Sequence, residues 1–374
     1  MTSDERREAR RKRRDAARAQ KRSDRASGLT IGSVADMNAL YRAQREAARG
    51  VAWKASTQRY QIDWLLNIAR TQRDLVEGRD VSRGFHEFDI VERGKRRHIS
   101  SVHFSERVPQ KSLAQNVLIP SLRPSLIDRN AANIKGKGVS YALKALKRDL
   151  VRHYRRHGPE GYVLLMDYAD YFARIDHGAV KKMLAEAVDD PASLDLAMRF
   201  VDSQGEIGLG LGSEPNQIEA VSLPNGIDHL VAEQMGVEAY GRYMDDSYVI
   251  HIDKDHLRDI LAKVRSACGE IGIELNERKV RIVKLTRGFT YLKKRIFYGE
   301  TGKVVMRPCR ASITRERRKL KRQSALVESG VMSEEDMWCS FQSCRGSMTG
   351  LAAHGTVLSM DALYRSLREA RAGE

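Results

Sequence analysis

Apolar positions between residues 161 and 270 alternate between the spacing of strands and the spacing of helices. A short apolar run, Tyr162–Met166, predicts a strand that ends at Asp167. Apolar positions between residues 180 and 187 then recur at helical spacing. A strand, an acidic residue and a helix therefore form one predicted unit.

Two more strands are predicted at residues 237–242 and 247–252, on either side of a turn that contains Asp245 and Asp246. A helix-spaced segment and another strand follow. The order βαββα with a following strand is typical of the split βαβ arrangement, whose central strands lie side by side. We therefore expect Asp167 and Asp245 at neighbouring strand ends.

Outside this region the pattern predicts a mixture of helices with one hairpin. A helix is predicted around residues 51–75, and residues 88–102 alternate like a hairpin that turns at Gly94. Residues 107–150 are predicted to be mostly helical, and helical spacing returns beyond Arg307. The expected fold class is α+β.

The charge of the chain favours a polyanionic partner. Lys and Arg outnumber Asp and Glu by 66 to 49, which gives a net charge of +17 in 374 residues. Residues 1–27 alone hold eleven basic and five acidic residues, and they lack the apolar side chains needed for a core. Nucleic acid is the expected partner, with a solubilising arm as the alternative role for this tail.

Other classes of protein are disfavoured by the sequence. It contains neither a run of ~20 apolar residues nor the apolar core of a signal peptide, so we expect a cytoplasmic protein with no membrane partner. The spacing of Cys268, Cys309, Cys339 and Cys344 indicates neither a zinc site nor a disulfide framework. Residues 135–138 do not form a P-loop.

Asp167, Asp245 and Asp246 are the candidate metal ligands. Two magnesium ions about 3.5–4 Å apart, held by hard oxygen ligands, stabilise both the attacking and the leaving oxygen of an in-line phosphoryl displacement. Two adjacent aspartates in a turn are most often merely solvated. The third aspartate, at the predicted end of a neighbouring strand, makes nucleotide polymerisation the favoured chemistry.

The segment Asp167–His177 closely resembles the first palm motif of bacterial reverse transcriptases, in which a metal-binding aspartate precedes two aromatics and an Ile-Asp-His sequence. The resemblance assigns a metal to Asp167. It matches Phe172 to the residue whose bulk excludes a ribose 2′-hydroxyl, which implies deoxynucleotide substrates. Core packing is the alternative role for Phe172, and Asp176 is expected to cap the next helix.

A second segment, Gly208–Gln217, resembles the palm loop that supports the template and the incoming base. Leu211-Gly212 and Asn216-Gln217 follow the aliphatic-Gly-xxx-Ser-Gln form of diversity-generating retroelements and related bacterial groups, with asparagine in place of serine. The resemblance therefore assigns Gly212 and Gln217 to substrate binding.

Three residues depart from the family pattern. Gly210 stands where the family usually has proline. Pro224 is expected to break the helix that follows the loop, since proline inside a helix costs ~3 kcal/mol. Lys293 replaces a usual glycine in Phe289–Lys293, which resembles the strand that grips the primer end.

The third motif, Tyr243–Asp246, matches the Tyr-x-Asp-Asp of the family. The resemblance makes Asp245 and Asp246 metal ligands together with Asp167. It also places Tyr243 and Met244 beside the substrate.

Two basic residues acquire roles from looser matches. Leu275–Lys279 resembles a Leu-Asn-Pro-x-Lys segment whose lysine protonates the departing pyrophosphate, so Lys279 is a candidate general acid, with an ordinary exposed lysine as the alternative. Arg97, in the basic hairpin, resembles the arginine that holds the triphosphate. An ordinary exposed turn is the alternative there.

The resemblance implies an α+β right-hand polymerase with fingers, a palm of split βαβ topology and antiparallel sheet, and a helical thumb. The expected divisions are a basic disordered tail at residues 1–28, N-terminal helices and fingers at 29–160, the palm with the catalytic aspartates at 161–300, and the thumb at 301–374.

The implied activity is RNA-directed DNA synthesis of the diversity-generating-retroelement type, with two Mg²⁺ ions, or Mn²⁺, as cofactors. The implied partners are a template RNA, a primer or cDNA, dNTPs and a small basic accessory protein. Two alternatives remain. One is a phage-defence or orphan bacterial reverse transcriptase with atypical priming, and the other is an RNA-binding scaffold that has lost catalysis.

Overall fold

The computed structural model describes residues 9, 13 and 16 and then residues 28–92, 95–203 and 205–372. Most of the predicted basic tail thus lies outside the described residues. The described chain divides into two compact units. The first comprises the described residues of Met1–Lys137, Tyr168–Met235 and Ala262–Glu277, and the second those of Gly138–Asp167, Gly236–Leu261 and Arg278–Glu374.

The described chain contains both helices and strands. In chain order the helices are α1 (Ile31–Val34), α2 (Met37–Ala47), α3 (Ala55–Ile62), α4 (Trp64–Val76), α5 (Phe104–Leu113), α6 (Ile119–Leu122), α7 (Val139–His157), α8 (Tyr171–Arg174), α9 (His177–Ala187), α10 (Pro191–Asp202), α11 (Glu214–Ser222), α12 (Asn225–His229), α13 (Lys254–Glu270), α14 (Arg310–Glu328), α15 (Glu334–Gly346) and α16 (His354–Ala372). The strands are β1 (Phe85–Glu92), β2 (Lys95–Val102), β3 (Tyr162–Met166), β4 (Ala239–Tyr243), β5 (Asp246–His251), β6 (Arg281–Lys284), β7 (Phe289–Tyr291), β8 (Lys294–Tyr298) and β9 (Val304–Pro308).

The first unit is mainly helical and contains one hairpin. The antiparallel pair β1 and β2 confirms the predicted hairpin, whose turn at residues 93–94 lies outside the described residues. The helical structure predicted around residues 51–75 is confirmed, and it is divided into two helices, α3 and α4. Helices α3 and α4 are separated by Asp63, whose φ of −112° and ψ of 38° are not helical.

Local signals place several helix ends in this unit. The carboxylate of Asp176 accepts a hydrogen bond from the Ala179 amide at 2.7 Å, which confirms the predicted cap of α9. The break expected at Pro224 is also confirmed, because α11 ends at Ser222 and α12 begins at Asn225.

The second unit is built on a four-stranded antiparallel sheet with the order β4-β5-β3-β6. In the register of β3 with β5, Met166 pairs with Ser247. The next positions along these strands are Asp167 and Asp246, so the two acids lie at the same edge of the sheet. The predicted adjacency of the acid-bearing strands is thereby confirmed, with Asp246 on the strand beside Asp167.

A second, three-stranded sheet with the order β7-β8-β9 packs in the same unit. Its core residues Phe289 and Ile296 belong to one buried cluster with Leu146 of α7, Val163 of β3 and Ile250 of β5. Burial of these apolar side chains against α7 therefore fixes both sheets to one helix.

The last three helices have a small core of their own. Leu320, Met337, Phe341, Met360 and Tyr364 form this cluster, in which the rings of Phe341 and Tyr364 stack with centroids 4.7 Å apart. The opposite face of α14 is basic and exposed. Within residues 28–92, 95–203 and 205–372, none of the helices is long and apolar enough to cross a membrane.

Candidate active site

The acidic edge of the second unit is formed by the end of β3 and the hairpin of β4 and β5. Tyr243 pairs with Asp246, so Met244 and Asp245 form a two-residue turn. Met244 has a φ of 55°, a region that favours glycine in this kind of turn. The chain thus holds the metal-candidate Asp245 in a strained turn, as is common at functional sites.

The buried side chain of Arg242 supports this turn. Its side chain is only 1% exposed, and its Nη1 donates a hydrogen bond to the Met244 carbonyl at 2.9 Å. Its positive charge also acts to lower the pKa of Asp245. Sequence reasoning missed Arg242, although a charged residue within an apolar strand, directly before the Tyr-x-Asp-Asp motif, was a usable signal.

Burial and neighbouring negative charge raise the pKa values of Asp245 and Asp246. Burial, followed by the negative charge of Asp167, raises the pKa of Asp245. Burial, followed by the charges of Asp245 and Asp167, raises the pKa of Asp246 to about 7. The pairing of β5 with β3 and with β4 places these carboxylates at one edge of the sheet, where their negative charges add to the effect of burial.

Lys279 supplies part of the compensating charge. Its Nζ donates hydrogen bonds to both oxygens of Asp167, at 2.8 Å from Oδ2. Burial alone would lower the pKa of Lys279, but its hydrogen bond to Asp167 and the charges of Asp167, Asp245 and Asp246 raise it overall. The structure thus brings Lys279 to the acidic edge in its protonated form, while its role as a general acid remains a prediction.

A cleft of about 360 Å³ opens beside these groups. The residues that line it include Asp167, Asp246 and Lys279, and also Arg281, Thr290 and Arg295. The Tyr291 hydroxyl, also in its wall, donates a hydrogen bond to the Asp246 carbonyl at 3.2 Å. The predicted primer-gripping strand, β7, therefore lies next to the acids.

The donor set of this edge fits hard divalent cations. Asp167, Asp245 and Asp246 present carboxylate oxygens, the preferred ligands of magnesium. The raised pKa values of Asp245 and Asp246 mean that a bound cation would relieve repulsion that Lys279 compensates only in part. These three residues could hold a metal.

Phe172, a predicted substrate residue, lies in the first unit. Its carbonyl accepts a hydrogen bond from the Leu209 amide at 2.7 Å, and the Ile175 carbonyl accepts one from the Gly208 amide at 2.8 Å. A Cβ at Gly208 would lie 2.9 Å from the Ala173 carbonyl, so glycine permits this close approach. The short helix α8 is thus held against the glycine-rich loop.

Two of the remaining predicted substrate residues, Gly212 and Gln217, lie in the glycine-rich loop and in the helix that follows it. Arg97 belongs to the hairpin of β1 and β2, and Tyr243 and Met244 belong to the hairpin of β4 and β5. Gly212 has a φ of +106° and is exposed, while Gln217 is half-buried in α11. The side-chain amide of Asn216 donates a hydrogen bond to the Gly210 carbonyl at 3.2 Å, which connects α11 to the loop. The backbone of Arg97 lies in β2, but its side chain falls outside the described residues.

Glu219, in the same helix, is a fully buried carboxylate that sequence reasoning missed. Neither of its oxygens has a hydrogen-bond partner in the described part of the chain. Burial raises the pKa of Glu219 to about 8. The folded first unit therefore favours the protonated form of this side chain.

We expect Glu219→Gln to remove a pH dependence of stability. Because the folded pKa of about 8 exceeds the ordinary value of 4.5, the free energy of unfolding should fall as the pH rises through this window. The Gln variant should lack this fall and be more stable above pH 8 by on the order of 5 kcal/mol. Urea unfolding from pH 4 to 9 measures both. Equal pH slopes for the two proteins would contradict an ionisable, unpaired Glu219.

Comparisons with known proteins bear on the fold. No protein-family model matches the chain, and no curated protein matches it. Among solved structures, apo telomerase from Candida tropicalis, truncated from its C-terminal domain, has a TM-score of 0.48 and 14% identity over 61% of this chain and 55% of that chain. Telomerase from Candida albicans, in complex with a TWJ fragment of telomeric RNA, has a TM-score of 0.50 and 12% identity over 78% of this chain and 56% of that chain.

The chain has a reverse-transcriptase-like fold. It spans a little over half the length of the two telomerase chains. At 12% identity the likeness to the Candida albicans enzyme concerns the fold alone. The reverse-transcriptase-like fold agrees with the general polymerase architecture expected from the motifs.

The reverse-transcriptase-like fold accommodates the unusual residues of this chain. Pro224 occupies the position before α12, where a missing amide hydrogen bond costs little. Leu292 and Lys293, with φ values of 44° and 63°, form the two-residue turn between β7 and β8. Lys293 therefore adopts the left-handed conformation that the usual glycine would favour.

Proposed function

We propose that the chain is an RNA-directed DNA polymerase that adds dNTPs to a primer on an RNA template. The observation that carries this proposal is the edge of the sheet in the second unit, where Asp167, Asp245 and Asp246 come together. The reverse-transcriptase-like fold supports it, and so does the net charge of +17.

The proposed cofactors are two Mg²⁺ ions, or Mn²⁺, held by the three aspartates. When bound, such a pair stabilises the attacking and leaving oxygens of an in-line phosphoryl displacement. Lys279, protonated beside Asp167, is placed to give a proton to the departing pyrophosphate. Tyr243 and Met244 would line the substrate side of the turn.

The proposed right-hand layout assigns fingers to residues 29–160, the palm to residues 161–300 and the thumb to residues 301–374. The acidic edge lies within the second range. In the third, exposed basic residues along α14 suit contact with the phosphates of a duplex, namely Arg317, Arg318, Lys319, Lys321 and Arg322.

The finer assignment is to the diversity-generating-retroelement type, on the Leu211-Gly212 and Asn216-Gln217 pairs. The telomerase of Candida albicans forms a complex with an RNA fragment, which supports RNA as a partner here. The proposed partners are thus a template RNA, a primer or cDNA, dNTPs and a small basic accessory protein. A phage-defence or orphan enzyme with atypical priming shares the same acidic edge and differs in its need for a template.

We expect Phe172→Ala to weaken the preference for deoxynucleotides. If the half-buried ring excludes a 2′-hydroxyl, its removal should lower the ratio of kcat/KM for dNTPs over rNTPs by on the order of 100-fold. Steady-state incorporation of single nucleotides measures this ratio. Tyr171→Phe is the matched control, because it keeps the neighbouring aromatic ring and removes the hydroxyl that donates to the Ala220 carbonyl. An unchanged ratio with lowered stability would assign Phe172 to core packing.

The proposed function is tested by primer extension with the purified chain, dNTPs and Mg²⁺. We expect extension on a primed RNA template, its loss on addition of EDTA and its return with excess Mg²⁺. Parallel reactions without template separate the two polymerase proposals, since product that forms without RNA would favour atypical priming. RNA binding without extension, under every combination of primer and metal, would favour the alternative of an RNA-binding scaffold that has lost catalysis.

A further inference from the structure

A cluster of two histidines and one glutamate lies in the second unit, apart from the acidic edge. His153 and His157 are one turn apart on α7, and Glu238 precedes β4. One ligand atom from each side chain lies within 4.8 Å of the other two. We propose that His153, His157 and Glu238 bind a single transition-metal ion, with Zn²⁺ as the favoured cation.

The helix brings the two imidazoles to one side. Residues four apart on a helix share a face, and the ring centroids of His153 and His157 are 4.9 Å apart. Glu238 faces both rings, with Oε2 3.3 Å from His153 Nδ1 and Oε1 2.7 Å from His157 Nε2. Two imidazoles and one carboxylate are a common zinc ligand set, with a fourth position left for water.

The hydrogen bond on the far side of His153 orients its ring for a metal. Its Nε2 lies 2.7 Å from the Glu160 carbonyl, which only accepts, so Nε2 carries the hydrogen. The Nδ1 lone pair of the neutral ring then points at a Glu238 oxygen, which also has a lone pair. A cation between two such atoms satisfies both. Metal-binding histidines commonly donate their other N–H to a backbone carbonyl in this way.

The space around the ring is also specific. Gly161 has a φ of +113°, and a Cβ at this position would lie 2.6 Å from His153 Nε2. Any larger residue would displace the ring.

The spacing of 3.3 Å between His153 Nδ1 and Glu238 Oε2 matches the ~3.3 Å that separates two tetrahedral ligands each ~2.0–2.1 Å from zinc.

The burial of the three side chains gives the ion an entry path. The side chain of His153 is 1% exposed, whereas those of His157 and Glu238 are 29% and 19% exposed. Solvent therefore reaches one side of the cluster, where the fourth ligand would sit.

The cluster and the three aspartates lie at opposite edges of the same sheet. Glu160 and Glu238 precede β3 and β4, whereas Asp167 and Asp245 follow these strands. Each five-residue strand spans ~16 Å. The two sites also differ in chemistry, since imidazole nitrogen favours zinc and an all-carboxylate site favours magnesium. A zinc ion here would hold α7 to the start of β4, independently of the polymerase proposal.

The test uses the full chain, stripped of metal by a chelator and titrated with Co²⁺ as a spectroscopic probe and then with Zn²⁺. We expect one tightly bound ion per chain, with the visible absorption of four-coordinate cobalt, displaced by Zn²⁺. His157→Gln and Glu238→Gln should each weaken binding by ~100-fold or more. The controls are His256→Gln, a histidine of the same unit outside the cluster, and Asp245→Asn with Asp246→Asn, and both should bind like wild type.

Several results would overturn the proposal. They are a wild-type chain without tight binding, variants that bind like wild type, and a thiolate charge-transfer band that places cobalt on a cysteine. Because Glu238→Gln preserves shape, it guards against a folding defect in the histidine variant. X-ray absorption of the zinc-loaded wild-type chain gives a reading that needs no variant, with two imidazoles expected around the ion.

Discussion

Replacing Asp245 and Asp246 together by asparagine is expected to lower dNTP incorporation by on the order of 1000-fold. Asparagine keeps the size of each side chain but removes the charge that would hold a divalent cation. Loss of several kcal/mol of stabilisation at the reacting oxygens corresponds to this factor. Single-turnover extension of a primer on an RNA template measures it.

The matched control is the pair Asp253→Asn and Asp255→Asn. These two aspartates are exposed in the same unit and lie beyond β5. The control should extend primers like wild type. The active-site variant should also remain folded in the absence of metal, because it removes two carboxylates whose burial and negative charge are unfavourable, as the raised pKa of about 7 at Asp246 indicates. Undiminished extension by the Asp245 and Asp246 variant would exclude this turn as the catalytic centre.

Replacing Arg242 by methionine is expected to destabilise the chain by ~3–5 kcal/mol. Arg242 is 1% exposed, its guanidinium donates to the Met244 carbonyl at 2.9 Å and its positive charge is opposite to those of the acids. Methionine leaves this carbonyl without that donor and removes a buried cation beside buried carboxylates, which is costly. Urea unfolding of the metal-free protein at pH 8 measures the loss.

Two variants separate the charge of Arg242 from its shape. Arg242→Lys keeps a cation but lacks the planar fork of the guanidinium, so a smaller loss is expected. Lys284→Met removes an exposed cation from β6 of the same sheet and should change the free energy of unfolding by less than ~0.5 kcal/mol. If Arg242→Met and Lys284→Met were equally mild, Arg242 would have no supporting role at the turn.

Elements bounded by strong local signals could be predicted from the sequence. The strand Tyr162–Met166 has the predicted limits, because an apolar run between a glycine and an acid leaves little choice of ends. The cap at Asp176 and the break at Pro224 depend on side-chain chemistry within a few residues. Such features are visible before any tertiary contact is known.

Helix limits that depend on which apolar side chains are exposed could not be predicted from the sequence. Helix was predicted around residues 51–75 without the division into α3 and α4, and Ile62 and Leu65 near this division are 76% and 55% exposed. Apolar spacing there does not mark a buried face, so it could not reveal the break at Asp63. The helix α10 was not predicted either, although Asp190, which accepts from the Ser193 amide at 3.0 Å, and Pro191 together form a usual helix start.

For the candidate site, the motifs identified the acids and Lys279 but not the contacts among the charged side chains. The contact of Lys279 with Asp167 joins residues 112 positions apart, and the burial of Arg242 and Glu219 depends on the packed unit. The periodicity of apolar residues indicates which face of an element is apolar, but it does not indicate which charged side chains contact one another. The three aspartates were predicted correctly as neighbours because strand order alone brings their ends together.

The most direct measurement is the sequence of the product that the chain makes on an RNA template of defined sequence. The purified protein, a primer, all four dNTPs and Mg²⁺ are incubated, and the product is sequenced and digested with DNase. We expect DNase-sensitive product complementary to the supplied RNA, absent with the Asp245 and Asp246 variant. Product unrelated to that RNA, or equal product from the variant, would contradict it.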